Sequence, residues 1–185
     1  MDVRFFDIAG LCLITPRVFG DDRGWFMETF KRDAFREATG QDIAFVQDNH
    51  SMSSQVGTLR GLHYQSPPHA QDKLVRCVRG AIVDIAVDAR KSSPTYGRSV
   101  RVELSAENKH QFLVPKGFLH GFVTTEPDTE VEYKVSDIYS PECDGSVSFT
   151  SPALGLDWGL PLDAIHLSGK DRDAVAFSDW DSPFD

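Results

Sequence analysis

Lys73-Leu74-Val75-Arg76-Cys77-Val78-Arg79-Gly80-Ala81-Ile82-Val83-Asp84-Ile85-Ala86-Val87-Asp88 is the stretch that decides the fold class. It reads as two β-strands, 73–78 and 81–88, and the Arg79-Gly80 pair between them predicts a hairpin. In the second strand Val83, Ile85 and Val87 share one face, while Ile82, Asp84, Ala86 and Asp88 share the other. Downstream, 99–104 alternates Val100, Val102 and Leu104 against Arg101 and Glu103. Residues 110–114 form another strand, stopped by Pro115-Lys116-Gly117. Residues 118–124 bring His120 and Phe122 to a common face, and 130–135 set Tyr133 beside Val131 and Val135. Upstream, 8–16 predicts a first strand with Leu11, Leu13 and Ile14 turned inward. Residues 19–24 form a turn cluster, 25–30 are short and mixed, and 31–39 predict the only substantial helix, closed by Gly40. Beyond Pro141 the chain reads as irregular.

Many short strands separated by turns make an all-β antiparallel sandwich or barrel with one or a few short helices. Alternating βα units and a glycine-rich phosphate loop are both missing, which excludes a dinucleotide-binding fold. With 185 residues, 41% apolar and 25% charged, the expectation is one soluble domain spanning 1–185. A formal net charge of -9 argues against nucleic acid or an anionic membrane as partner, yet allows a small anion in a locally basic pocket. Cys12, Cys77 and Cys143 lie far apart with no CxxC, which reads as reduced thiols in a cytoplasm. Asp2, Arg4 and Asp7 interrupt the N-terminus, so it reads as neither signal peptide nor membrane span.

The chemistry gathers around Arg60-Gly61-Leu62-His63-Tyr64-Gln65 and Lys73. His63 is the group there that exchanges a proton readily near neutral pH. Arg23, Arg60, Lys73 and Arg76 are candidates for an anion site. Tyr133 is either core packing or an acid, and Asp171 either a surface charge or the carboxylate that orients His63. In a regular strand Arg60 and His63 point to opposite faces, so the strand must be irregular or one residue must serve a neighbouring subunit. Pro115-Lys116-Gly117-Phe118-Leu119-His120 resembles the second motif of cupin jelly rolls. Metal-binding cupins place a second imidazole two residues after the first; here that residue is Gln65, so no metal is expected.

Longer stretches carry a more specific resemblance: PRVFGDDRGWFMETF at 16–30, FVQDNHS at 45–51, LRGLHYQ at 59–65, QDKLVRCVRGAIVDIAVDAR at 71–90, SPTYG at 93–97, LSAENKHQFLVPKGFLHGF at 104–122, EYKVSDIYSPE at 132–142 and LSGKD at 167–171. In order and spacing they resemble the dTDP-4-dehydrorhamnose 3,5-epimerase family of cupin-type deoxysugar epimerases. The resemblance implies a jelly roll that works as a homodimer, without metal or cofactor. It implies inversion of carbons 3 and 5 of dTDP-4-dehydro-6-deoxy-D-glucose. His63 would be the base, Asp171 its orienter, Tyr133 the acid and Lys73 the enolate stabiliser. His120 and Asp84 would share the pocket. Gln47, Asn49 and Arg60 would bind substrate, with Phe19, Arg23 and Glu28 arriving from the partner subunit. Tyr139 suits stacking on thymine or sugar, and Asp144 and Lys170 complete the substrate contacts. Asp144-Gly145, Phe149-Thr150-Ser151 and Gly169 depart from the family pattern. The alternatives are a single-centre epimerase of a related dTDP-4-keto-6-deoxysugar, a catalytically silent sugar-binding cupin, and a metal-dependent cupin enzyme.

Overall fold

Period-two alternation buries one face of every long strand, and two such faces close on each other. The computed structural model describes residues 1–185. Its strands are β1 (Asp2–Phe5), β2 (Cys12–Thr15), β3 (Val18–Asp21), β4 (Gly24–Met27), β5 (Gln47–Ser53), β6 (Leu59–Gln65), β7 (Lys73–Arg79), β8 (Ala81–Asp88), β9 (Ser99–Ser105), β10 (Gln111–Val114), β11 (Phe118–Thr124), β12 (Thr129–Val135) and β13 (Asp144–Ser146). Helix α1 is Arg32–Thr39 and the single-turn α2 is Gly169–Arg172. A six-stranded sheet runs β1-β2-β10-β7-β12-β5, and a five-stranded sheet runs β13-β6-β11-β8-β9. All their pairings are antiparallel, which makes the jelly-roll-like sandwich that the alternation called for.

The hairpin expected at Arg79-Gly80 is not there. β7 pairs with β10 and β12 in one sheet, while β8 pairs with β11 and β9 in the other. Gly80 is therefore a corner between sheets. Its φ is +71°, and a Cβ there would lie 2.3 Å from Thr129 Oγ1. A hairpin and a corner both use glycine at positive φ, so the local sequence does not separate them. The hairpin lies instead at 18–27, where β3 pairs with β4 around Asp22-Arg23 as a separate ribbon. The first strand is shorter than expected, and β1 adds an edge strand that the mixed N-terminus did not advertise.

The faces assigned to β8 hold. Ile82 and Ala86 join Val75, Cys77, Phe112, Phe118, Phe122 and Val131 in the core between the sheets. Val83, Ile85 and Val87 pack on the other side with Leu59, Leu62, Leu119, Trp158, Phe177 and Phe184. The five-stranded sheet is thus covered on both faces, the outer one by the C-terminal segment that read as irregular. Helix α1 covers the outer face of the six-stranded sheet through Phe35, against Cys12, Ile14, Leu74 and Leu113. Gly40 caps it in the left-handed conformation, its N–H donating to Arg36 O. Cys12, Cys77 and Cys143 are free; burial pushes the Cys12 thiol up to about 12 and the Cys77 thiol up to about 11.

Candidate active site

Several inward stripes carry a polar side chain among apolar ones. On β7, Lys73 precedes Val75 and Cys77; on β12, Tyr133 stands between Val131 and Val135. On β8, Asp84 stands between Ile82 and Ala86; on β11, His120 stands between Phe118 and Phe122. Burying a polar group costs free energy unless it is satisfied, so such positions mark a site rather than packing. His63, Lys73, Tyr133, His120, Arg60, Lys170 and Asp171 line one cleft of ≈ 490 Å³. An adjoining lobe of ≈ 240 Å³ shares His63, Lys73, Tyr133 and Lys170 and adds Gln47, Asn49, Tyr139 and Asp144.

The conflict between Arg60 and His63 is resolved by a bulge. His63 stands opposite His120 and Arg60 opposite Phe122, so Gly61 and Leu62 together face the single Gly121. Leu59 and Leu62 consequently share the outer core, and Arg60 and His63 share the cleft. Gly61 has φ +145°, and a Cβ on it would lie 2.5 Å from Gly121 Cα. The close approach of these two backbones requires glycine.

His63 and His120 each face a carboxylate. Asp171 Oδ1 accepts from His63 Nε2 at 2.5 Å, which leaves Nδ1 as the ring atom with a free lone pair. The second oxygen, Oδ2, accepts from the Ser168 hydroxyl at 2.9 Å. Burial alone would raise the Asp171 carboxyl; the His63 hydrogen bond and charge, Ser168 and Lys170 outweigh it and hold the group below its ordinary value. His120 Nε2 donates to Asp84 Oδ1 at 2.8 Å. Asp84 Oδ2 is buried and has no protein partner.

Lys73 donates no hydrogen bond to the protein, and burial lowers its ammonium to about 8 against the raising influence of Asp144 and Asp84; Lys170 pushes the same way as burial. Burial likewise raises the Tyr133 phenol; Arg60 opposes this and Asp144 adds to it. Asp144 accepts from the Tyr139 hydroxyl at 3.3 Å and pairs with Lys170. Gln47 donates to Asn49 at 2.8 Å and accepts from Tyr139 N at 3.2 Å. Arg60 donates to Ser53 and to the Met52 carbonyl. Gln65 commits its amide to the carbonyls of His69 and Ile138 and to Ser140 N, so it braces the loop beside the cleft.

Two groups do not gather here. Arg76, a candidate for the anion site, alternates to the outer face of its sheet and pairs with Glu132. Phe19, Arg23 and Glu28 lie on or beside the β3–β4 ribbon, outside this chain's cleft, with Arg23 paired to Asp21 at 2.5 Å. Ser168 and His166 also line the cleft and were not singled out from sequence. For Ser168 the signal was legible, because Ser168-Gly169-Lys170-Asp171 has the spacing of a capping box. His166 arrives through a lone bridge to Thr58, for which no local pattern exists.

Base and acid candidates stand on opposite walls, His63 on the five-stranded sheet and Tyr133 on the six-stranded one. Comparison with known proteins places the chain in a family. A sequence profile described as dTDP-4-dehydrorhamnose 3,5-epimerase matches residues 6–179. The dTDP-4-dehydrorhamnose 3,5-epimerase of Pseudomonas aeruginosa is 50% identical over 94% of this chain and 94% of its own. That of Shigella flexneri is 46% identical over 98% of both. A solved dTDP-6-deoxy-D-glucose-3,5-epimerase from Legionella pneumophila, in complex with dTDP-4-keto-L-rhamnose, superposes with a TM-score of 0.92 at 43% identity, covering 97% of this chain and 94% of that one. The chain belongs to the dTDP-4-dehydrorhamnose 3,5-epimerase family.

Proposed function

We propose that the protein is an isomerase that converts dTDP-4-dehydro-6-deoxy-D-glucose to dTDP-4-dehydro-L-rhamnose by inverting carbons 3 and 5. The observation that carries the mechanism is the placement of His63 and Tyr133 on facing sheets with Lys73 in the same cleft. The 4-keto group acidifies the protons on its neighbouring carbons. His63 Nδ1 takes one of them, and Asp171 stabilises the imidazolium that forms. Charge develops on the keto oxygen as the enolate forms, and the Lys73 ammonium offsets it. Tyr133 returns a proton from the other side, which inverts the centre. Exchange with solvent then takes the proton from His63 and returns one to Tyr133, and a second turn of the cycle at the other carbon completes the reaction.

The remaining site residues bind substrate in this reading. Arg60 serves the diphosphate, with Gln47, Asn49, Tyr139, Asp144 and Lys170 around the sugar and base, and His120 with Asp84 at the inner end of the cleft. Residues 1–185 form one catalytic domain, which acts as a homodimer. The β3–β4 ribbon supports this: Phe19, Trp25 and Phe26 are exposed, and the ribbon carries Phe19, Arg23 and Glu28 away from its own cleft, where a partner's would receive them. Light scattering tests it, with a dimer expected and a monomer at assay concentration contradicting it. A cytoplasmic location fits three free thiols, and no helix is long and apolar enough to cross a membrane.

The reaction is tested by incubating the protein with dTDP-4-dehydro-6-deoxy-D-glucose in heavy water. Deuterium at both carbons and an L-rhamno product are expected. Label at one carbon only makes the protein a single-centre epimerase.

A further inference from the structure

An orienting carboxylate is useful only if it cannot turn. Asp171 begins two residues into α2, and its side chain is 3% exposed. One oxygen is taken by His63; the other meets Ser168. The Ser168 oxygen accepts the Asp171 N–H at 3.1 Å, and its single hydroxyl proton goes to Asp171 Oδ2 at 2.9 Å. The first contact is an ordinary N-cap. The second satisfies no backbone group and holds the carboxylate directly. The segment carrying Ser168 is tied to the strand carrying His63, because Leu59 N donates to His166 O at 2.9 Å and His166 N to Gly57 O at 2.8 Å. Base, carboxylate and hydroxyl are therefore referenced to one stretch of backbone.

We infer that Ser168 is a positioning residue for the reaction: its hydroxyl locks the Asp171 carboxylate so that Oδ1 holds the Nε2–H tautomer of His63 and Nδ1 faces the substrate. The inference rests on the reading of His63 as the base. Capping and locking separate by substitution. Glycine is tolerated at an N-cap but has no hydroxyl, so Ser168→Gly keeps the turn and removes the lock. Ser168→Thr keeps the hydroxyl, and the exposed position leaves room for its methyl group.

The test reads the ligand-free protein by proton NMR, following the downfield His63 Nε2–H resonance, identified by its loss in His63→Ala. Steady-state kinetics run alongside. In Ser168→Gly the resonance shifts or broadens away, kcat falls about five- to tenfold and KM stays within about twofold. Ser168→Thr restores all three. If Ser168→Gly keeps both the resonance and kcat, Ser168 is a cap and nothing more. Ser168→Ala, read the same way, decides the point if the glycine variant does not fold by circular dichroism. Failure of the base assignment would show separately, as deuterium exchange surviving in His63→Ala, while the resonance reads the hydrogen bond itself.

Discussion

The cleft holds two histidine–carboxylate pairs on neighbouring strands, and they are built differently. His63 is 30% exposed and its carboxylate comes from α2, 108 positions away in the chain. His120 is 9% exposed and its carboxylate, Asp84, comes from the adjacent strand β8 with no exposure at all. Asp171 has a partner for each oxygen, whereas Asp84 keeps Oδ2 without one. An exchanger of protons needs access to substrate and a partner that stabilises its charged form. The first pair has both. The second is a buried fixture, its imidazole held by Asp84, where a fixed donor or acceptor can aim at a bound group.

This contrast is broken most severely through His63. His63→Ala is expected to lower kcat about 10²–10⁴-fold, as loss of a general base does. Lys73→Met comes next, at about 10²–10³-fold, the cost of removing one donor from a developing oxyanion. The same change should stabilise the fold by about 1–3 kcal/mol at neutral pH, read as a rise in denaturation midpoint, because it removes an ammonium held in a desolvated place. His120→Gln should cost only about tenfold, as the loss of one charge-assisted contact. If it matched His63→Ala, the division of labour between the pairs would be wrong.

The smallest effect is the pH dependence. Burial brings Lys73 to about 8 from its ordinary 10.5 in the free protein, so its ammonium is lost as pH rises through about 8, and kcat/KM should fall severalfold over the first pH unit of that limb. Its contribution to stability runs the other way. Between about 8 and 10.5 the unfolded chain binds the extra proton, so this group's penalty on the fold shrinks as pH rises. A rate that falls above pH 8 while stability attributable to Lys73 improves, with the limb missing in Lys73→Met, is the expected signature.

Much of this was legible in the sequence. Period-two alternation gave the strands and assigned both faces of β8 correctly, because each face is buried against its own layer. Polar residues interrupting apolar stripes, Tyr133 and His120 above all, pointed into the cleft. What stayed hidden depended on distant partners. Gly80 reads the same in a hairpin and in a corner, and which it is depends on where β8 finds β11. The bulge at Gly61-Leu62 exists only opposite Gly121. Arg76 joined the anion candidates on charge alone, although its parity relative to Val75 and Cys77 already placed it on the other face. The C-terminal segment lacks a period because single aromatic side chains, Trp158, Phe177 and Phe184, do its packing.

The central claim is that His63 removes the substrate proton and Tyr133 returns one from the opposite wall. Tyr133→Phe in heavy water tests it most directly, with deuterium in recovered substrate and in product measured together. The account predicts that substrate still gains deuterium, because His63 removes and returns protons on its own side, while inverted product falls about 10²-fold or more. Substrate recovered without deuterium, or inversion at the wild-type rate, would contradict it.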